Sequence, residues 1–301
     1  MSNESLSLAA QALKTLKDKA FQLSKSAAPE YKELEVSAVG THAVRTAKNQ
    51  SDLARKFEEL GIPMLALTQE QEAQIGFEAV KTRASGCEGK NLMVWDVGGG
   101  SMQITLSSPQ GAEVFGLPFG SEAFKAELVK QLKLSGRPAA NCAVSSLTPN
   151  PIGRKNLAKV KGFARQKARA LPSRLRFAVK SGVCAIGIGG VHGKAVEGRI
   201  EKLFPSIQGC ACDSKNKSCS HASGEVSRRE VECLAKTLID KNDCAPEING
   251  PYSTTSVSNL FLVAGFMEAM NINRMRTLNV NMGHGLVADS TRLKFKTIPI
   301  Q

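Results

Sequence analysis

The sequence predicts an α/β protein built as two lobes with a cleft between them, and three observations lead there. With 301 residues, 42% of them hydrophobic, the chain exceeds the ~250 residues beyond which a single core rarely grows, so two cores are expected. Between residues 34 and 80, strand-like and helix-like runs alternate, the pattern of a largely parallel sheet crossed by helices. Two apolar runs, residues 94–97 and 183–188, each end in a glycine turn: Gly98-Gly99-Gly100-Ser101 and Gly189-Gly190. Residues without Cβ let backbone N–H groups converge on an anion, and one such turn in each half would hold phosphate from both sides.

Residues 5–25 set Leu6, Leu8, Leu13, Leu16, Phe21 and Leu23 among lysines and polar residues. That is an amphipathic helix, without the continuous apolar stretch of a signal peptide. Residues 34–39 read as a short strand ending at Gly40-Thr41-His42. A helix follows, with Asn49 or Ser51 as its cap, Leu53, Phe57 and Leu60 on one face and Gly61 as its stop. Residues 62–67 form the next strand, and Thr68 caps a helix through Glu70, Glu72, Ile75, Phe77 and Val80. Residues 94–104 give a strand, a tight turn and a returning strand. Beyond Gly116 a helix begins near Ser121 and carries Phe124, Leu128 and Leu132; a stretch rich in Pro and Asn, 136–153, separates it from helical periodicity at 157–170. Ala178 and Val179, together with residues 183–188, are expected as one buried strand. Helices over 227–241 and 256–270 and a strand over 275–280 precede Gly283-His284-Gly285-Leu286.

Forty Lys and Arg against 27 Asp and Glu leave a net charge of +13, and its position matters more than its size. Fourteen basic residues and one acid, Glu127, lie between Lys125 and Lys180, so this segment carries the whole excess. Such a field attracts a polyanion and weakens with salt; a solvated helix face is the plainer alternative. No apolar run approaches the ~20 residues of a membrane span. Of eight cysteines, Cys184, Cys210, Cys212, Cys219, Cys233 and Cys244 come late in the chain. Cys210-Ala211-Cys212 with Cys219 and His221 fits either a zinc loop or disulfides around a surface insertion at 208–224, the second being favoured.

The order of these pieces resembles the Ppx/GppA family of exopolyphosphatases and guanosine pentaphosphate phosphohydrolases. The resemblance rests on Gly40-Thr41-His42-Ala43-Val44-Arg45 followed by Ala47 and Asn49, on Glu70-Gln71-Glu72-Ala73, on Asp96 to Ser101, on Gly187-Ile188-Gly189-Gly190 and on Gly283-His284-Gly285-Leu286. It covers the chain nearly end to end. It implies the actin-like, sugar-kinase-like ATPase fold, with ribonuclease H-like lobes, and a Mg²⁺-assisted phosphohydrolase acting on inorganic polyphosphate or guanosine pentaphosphate. By the same resemblance, Glu72 is the general base that activates water, and Thr41 and Arg45 bind substrate. Gly98, Gly99, Gly100 and Ser101 form one phosphate cradle and Gly189 and Gly190 a second. Asp96 positions the metal, with Gln103 reaching it through water. On residue chemistry alone, Glu72 reads as a solvated first-turn acid favoured by the helix dipole, and Arg45 as half of a surface ion pair.

Two departures from the family pattern accompany the resemblance. By the resemblance, the opening strands and first Gly-Ser phosphate loop of the family would lie upstream of residue 1, so residues 1–90 are expected to form an incomplete first lobe. Residues 91–301 are then the second lobe, its C-terminal end returning to the first. Gln103 stands where the family carries Glu. Two further readings remain: a catalytically impaired polyanion-binding homologue, and an ATPase or sugar kinase on the same fold. A homodimer is implied by the family; a membrane or nucleic acid is not an expected partner. The cytoplasm is the expected compartment, the periplasm the alternative if a leader precedes the chain and the cysteines are oxidised.

Overall fold

The computed structural model describes residues 2–27, 36–108, 111–136, 142, 146–203 and 223–288. The chain divides into two compact units, one up to Glu72 and one spanning Ala73–Ala288.

In the first unit, helix α1 (Asn3–Ala27) is followed by strand β1 (Ala38–Gly40), a single helical turn α2 (His42–Arg45), helix α3 (Gln50–Glu58), strand β2 (Met64–Ala66) and the start of helix α4 (Gln69–Lys81). Strands β1 and β2 pair in parallel, Ala38 opposite Met64. Leu6 of α1 and Leu53 and Phe57 of α3 are buried together, as expected for α3. Helix α1 departs from expectation: Leu8, Leu16, Phe21 and Leu23 are exposed, and of its large apolar residues only Leu6, with Leu13 partly buried, packs against the unit. Helix α3 ends as foreseen at Gly61, whose φ of +65° is a left-handed conformation that glycine adopts at no steric cost. Thr68 closes a capping box: its hydroxyl accepts from the Gln71 N–H at 3.1 Å, and its own N–H donates to the Gln71 side chain at 2.9 Å.

The second unit takes up the rest of α4 and continues with strands β3 (Asn91–Val97), β4 (Met102–Ser108) and β5 (Gly111–Leu117) and helix α5 (Ser121–Gln131). Helices α6 (Leu157–Ala168) and α7 (Ser173–Lys180), strand β6 (Val183–Ile188), a π-helical segment (Val191–Glu197) and helix α8 (Gly198–Leu203) come next. Strand β7 (Glu225–Ser227), helices α9 (Arg228–Leu238) and α10 (Ser253–Ala269), strand β8 (Arg274–Thr277) and helix α11 (Met282–Ala288) complete it. Six strands form one mixed sheet in the order β5-β4-β3-β6-β8-β7. Strand β3 runs antiparallel to β4 and parallel to β6, with Asp96 opposite both Gln103 and Ile188.

The period-two alternation of β3 separates two cores. Met93, Trp95 and Val97 enter the larger one with α5, α6, α9 and α10, whereas Val94 joins Phe77, Ala79 and Val80 of α4 and Ile186 and Ile188 of β6. Helix α10 is buried from Ser253 to Met267: its first two turns bring Ser, Thr and Asn side chains inside with Val257, and the run over residues 260–267 is apolar all round. Helix α6 approaches it where a Cβ on Gly265 would lie 2.4 Å from that of Ala164.

Several elements differ from expectation. Ala178 and Val179 belong to α7, not to a strand: Pro172 precedes the helix, Leu175 and Val179 bury one face at i and i+4, and Gly182 at φ +99° separates it from β6. The edge strands β5 and β7 had no alternating pattern strong enough to announce them. Helix α10 begins at Ser253, and Gly283-His284-Gly285-Leu286 is helical within α11. Cys87 is disulfide-bonded to Cys184 and Cys142 to Cys244, with Cα separations of 5.7 and 5.3 Å. Cys210, Cys212, Cys219 and His221 lie outside the described residues, as do residues 289–301 at the expected return of the chain. No helix among the described residues is long and apolar enough to cross a membrane.

Candidate functional site

The first glycine turn is a four-residue link between the paired residues Val97 and Met102, closed by the Gly98 N–H donating to the Ser101 carbonyl at 2.9 Å. Helix α5 fixes its orientation. The N–H groups of Ser121 and Glu122 donate to the carbonyls of Gly98 and Gly99 at 2.9 and 2.8 Å. Gly120 makes the approach feasible, since a Cβ there would sit 2.4 Å from the Gly98 carbonyl oxygen. With its carbonyls turned to α5, the turn keeps the N–H groups of Gly99, Gly100 and Ser101 free of protein acceptors among the described residues. Backbone donors of this kind suit an anion.

The second turn lies beside the first, because β3 and β6 are parallel neighbours that end together. Gly189 has φ +79°, and a Cβ on it would stand 2.6 Å from Oδ1 of Asp96. The carboxylate at the end of β3 therefore packs against the backbone of the other turn. Gly190 leads directly into the π-helical segment. The expectation that the two cradles come from opposite halves of the fold is corrected here: they are adjacent strand ends of one sheet.

Gln103 faces Asp96 across the β3–β4 pair, is buried, and donates its side-chain amide to the Ser101 hydroxyl at 3.2 Å. The Asp96 carboxylate at a phosphate cradle fits Mg²⁺, which takes one or two carboxylates and completes its shell with water and substrate oxygens. Asp96 would hold the ion and Gln103 a water bound to it. No cluster of three or more His, Cys, Asp or Glu residues among the described residues competes for a metal.

In the first unit, Arg45 and Glu72 are brought together: both terminal nitrogens of the guanidinium lie 3.2 Å from Oε2 of Glu72, and Nη1 also donates to the Leu67 carbonyl at 2.6 Å. The carboxylate is only 13% exposed, so the two residues form a partly desolvated pair and are not independent surface charges. Thr41 precedes α2, and its carbonyl accepts from the N–H groups of Val44 and Arg45.

The basic stretch conceals one residue of a different kind. Lys125 is 4% exposed, its ammonium 2.5 Å from Glu122 and 3.3 Å from the Thr254 hydroxyl. Next to it the Ser121 hydroxyl donates to the Asn259 side chain at 2.7 Å. These contacts join α10 to the helix that holds the first turn. The signal was available in the spacing, for Lys125 shares a helix face with the buried Leu128 and Val129. His192 is wholly buried, 4.6 Å from the Trp95 ring, and desolvation lowers its pKa to about 3.

A model of the Ppx/GppA phosphatase family matches residues 5–292. The chain belongs to this family. Its fold is that of the Ppx/GppA family member of Aquifex aeolicus, with a TM-score of 0.64 at 15% identity over 97% of this chain and 83% of that one. A second structure, of the Aquifex aeolicus PPX-GPPA enzyme, gives 0.66 at 18% identity, covering 96% and 84%. An exopolyphosphatase from Cytophaga hutchinsonii gives 0.66 at 16% identity, covering 99% and 85%. Among curated protein sequences no relative matches significantly. The actin-like ATPase architecture expected of a Ppx/GppA phosphatase is thus the one observed.

Proposed function

We propose that the chain is a phosphohydrolase that removes the terminal phosphate of inorganic polyphosphate or guanosine pentaphosphate. The observation that carries this reading is the pair of adjacent glycine turns with the Asp96 carboxylate packed between them. The N–H groups of Gly99, Gly100 and Ser101 hold oxygens of the terminal phosphoryl group, and Gln103 fixes the Ser101 hydroxyl beside them. Arg45 orients the Glu72 carboxylate and offers its remaining N–H groups to a phosphate oxygen. Glu72 takes a proton from water as the water oxygen bonds to phosphorus and the bond to the bridging oxygen breaks in line. Asp96 would hold Mg²⁺, which would supply positive charge against the charge that develops on the phosphoryl oxygens. The Cys87–Cys184 and Cys142–Cys244 disulfides support an oxidising compartment for this activity.

The test is phosphate release from both substrates with Mg²⁺ and with chelator, for the wild type and for Glu72→Gln. A general base contributes about 10²–10⁴-fold, so the variant should lose that much turnover while its circular dichroism is unchanged. Release no faster than that of Glu72→Gln would overturn the reading, and salt-sensitive polyphosphate binding without release would select the non-catalytic homologue instead.

A further inference from the structure

Along α6, Lys161, Arg165 and Arg169 recur every four residues and form one ridge that faces α9 and the C-terminal end of α10. Two acids answer part of this ridge. Glu232 pairs with Lys161 at 3.0 Å, and Glu268 accepts from Nε of Arg165 at 2.7 Å. At the far end Arg176 of α7 joins, and Arg165, Arg169, Arg176, Glu268 and Ala269 line a groove of about 510 Å³. Neither Arg169 nor Arg176 has an ion-pair partner among the described residues, so three guanidiniums face one carboxylate.

The groove is remote from the glycine turns. Thr254 and Asn259 of α10 contact α5 at the turn end, whereas Glu268 and Ala269 are its last residues before the chain enters β8, which runs parallel to β6. At 1.5 Å per residue, Thr254 and Glu268 stand about 20 Å apart along the helix. The groove therefore opens at the end of the sheet where the parallel strands begin, away from the phosphate cradles.

We propose that this groove is a second oligophosphate site, which binds the interior of an inorganic polyphosphate chain. Planar guanidiniums grip phosphate oxygens two at a time, and Arg169 and Arg176 on two different helices present such forks to successive phosphates. A triphosphate engaged at the glycine turns is too short to reach the groove, whereas a long chain can occupy it. The assignment rests on the reading of polyphosphate as substrate and adds to it a separate contact that distinguishes long chains from short ones.

Equilibrium binding of fluorescent long-chain polyphosphate and of triphosphate tests it, with the full chain carrying Glu72→Gln and Mg²⁺ left out so that hydrolysis is suppressed during the measurement. Adding Arg169→Gln and Arg176→Gln together should weaken the long chain about tenfold. The slope of log affinity against log salt should fall by about 1 to 2, and triphosphate should bind as before. Lys155→Gln with Lys159→Gln removes the same charge from exposed positions of the same region and should change long-chain affinity less than about twofold. The proposal is overturned if the long chain binds undiminished or not at all, if the lysine control weakens it equally, or if single-stranded DNA displaces it more readily than polyphosphate does. Phosphate release by the wild type is read separately: its absence refutes the hydrolase while the binding series still decides the groove.

Discussion

Acidification from pH 7 to pH 5 should destabilise the second unit by about 2 kcal/mol through His192 alone. Burial without compensation holds this imidazole neutral, with a pKa of about 3 against an ordinary value of 6.5, and neither ring nitrogen has a partner among the described residues. Between those two values the unfolded chain takes up a proton that the folded chain refuses. The contribution to stability is therefore fully present above pH 6.5 and drains away as the pH falls towards 3. Each pH unit below the unfolded value is worth about 1.4 kcal/mol, so the 1.5 units to pH 5 give about 2 kcal/mol. Trp95 is the single tryptophan of the chain and touches His192, so its fluorescence during urea unfolding reports on this unit specifically. His192→Phe keeps an apolar ring in place and removes the titrating group. The loss of stability between pH 7 and pH 5 should be about 2 kcal/mol smaller in the variant than in the wild type, whatever offset the new ring introduces at pH 7. Equal losses in the two proteins would refute the account of His192 as a buried neutral base.

Two other outcomes follow from the same geometry. Gly189→Ala places a side chain at φ +79° and a methyl group against the Asp96 carboxylate, so a loss of about 1–2 kcal/mol by thermal melting is expected, together with weaker Mg²⁺ dependence of phosphate release. Reduction of the Cys87–Cys184 and Cys142–Cys244 bonds, which close segments of 97 and 102 residues, should cost about 2–5 kcal/mol each and lower the melting temperature in dithiothreitol relative to buffer alone.

What could be read from the sequence was what is decided locally. Thr68 with Gln71 three residues on, Gly61 after an amphipathic run and Gly98-Gly99-Gly100 between two β-rich stretches each specify their own conformation through a side chain or the lack of one. The edge strands escaped because β5 begins and nearly ends in glycine and β7 is three residues long; their pairing with β4 and β8 is imposed by the sheet. Ala178 and Val179 looked like strand because small and β-branched residues pack in either state, and Leu175 one turn earlier was the deciding residue. The neighbourhood of the candidate site was legible only in part. That Asp96 would meet Gly189 depends on β3 pairing with β6 across some 90 residues of intervening chain, and that Arg45 would be held by Glu72 depends on a contact 27 residues apart. Neither separation leaves a trace in periodicity.

Helix α10 touches α5 through Thr254 and Asn259 near its start and the arginine groove through Glu268 near its finish, with apolar neighbours on all sides in between. A helix rotates its side chains by about 100° for every residue, so removing or adding one position between Asn259 and Glu268 would swing the distal carboxylate away from Arg165 while also misplacing each packed side chain after the change. Length variation in this part of the chain is thereby confined to the connections outside the helix, and the two chemically distinct ends of the unit stay in fixed rotational phase.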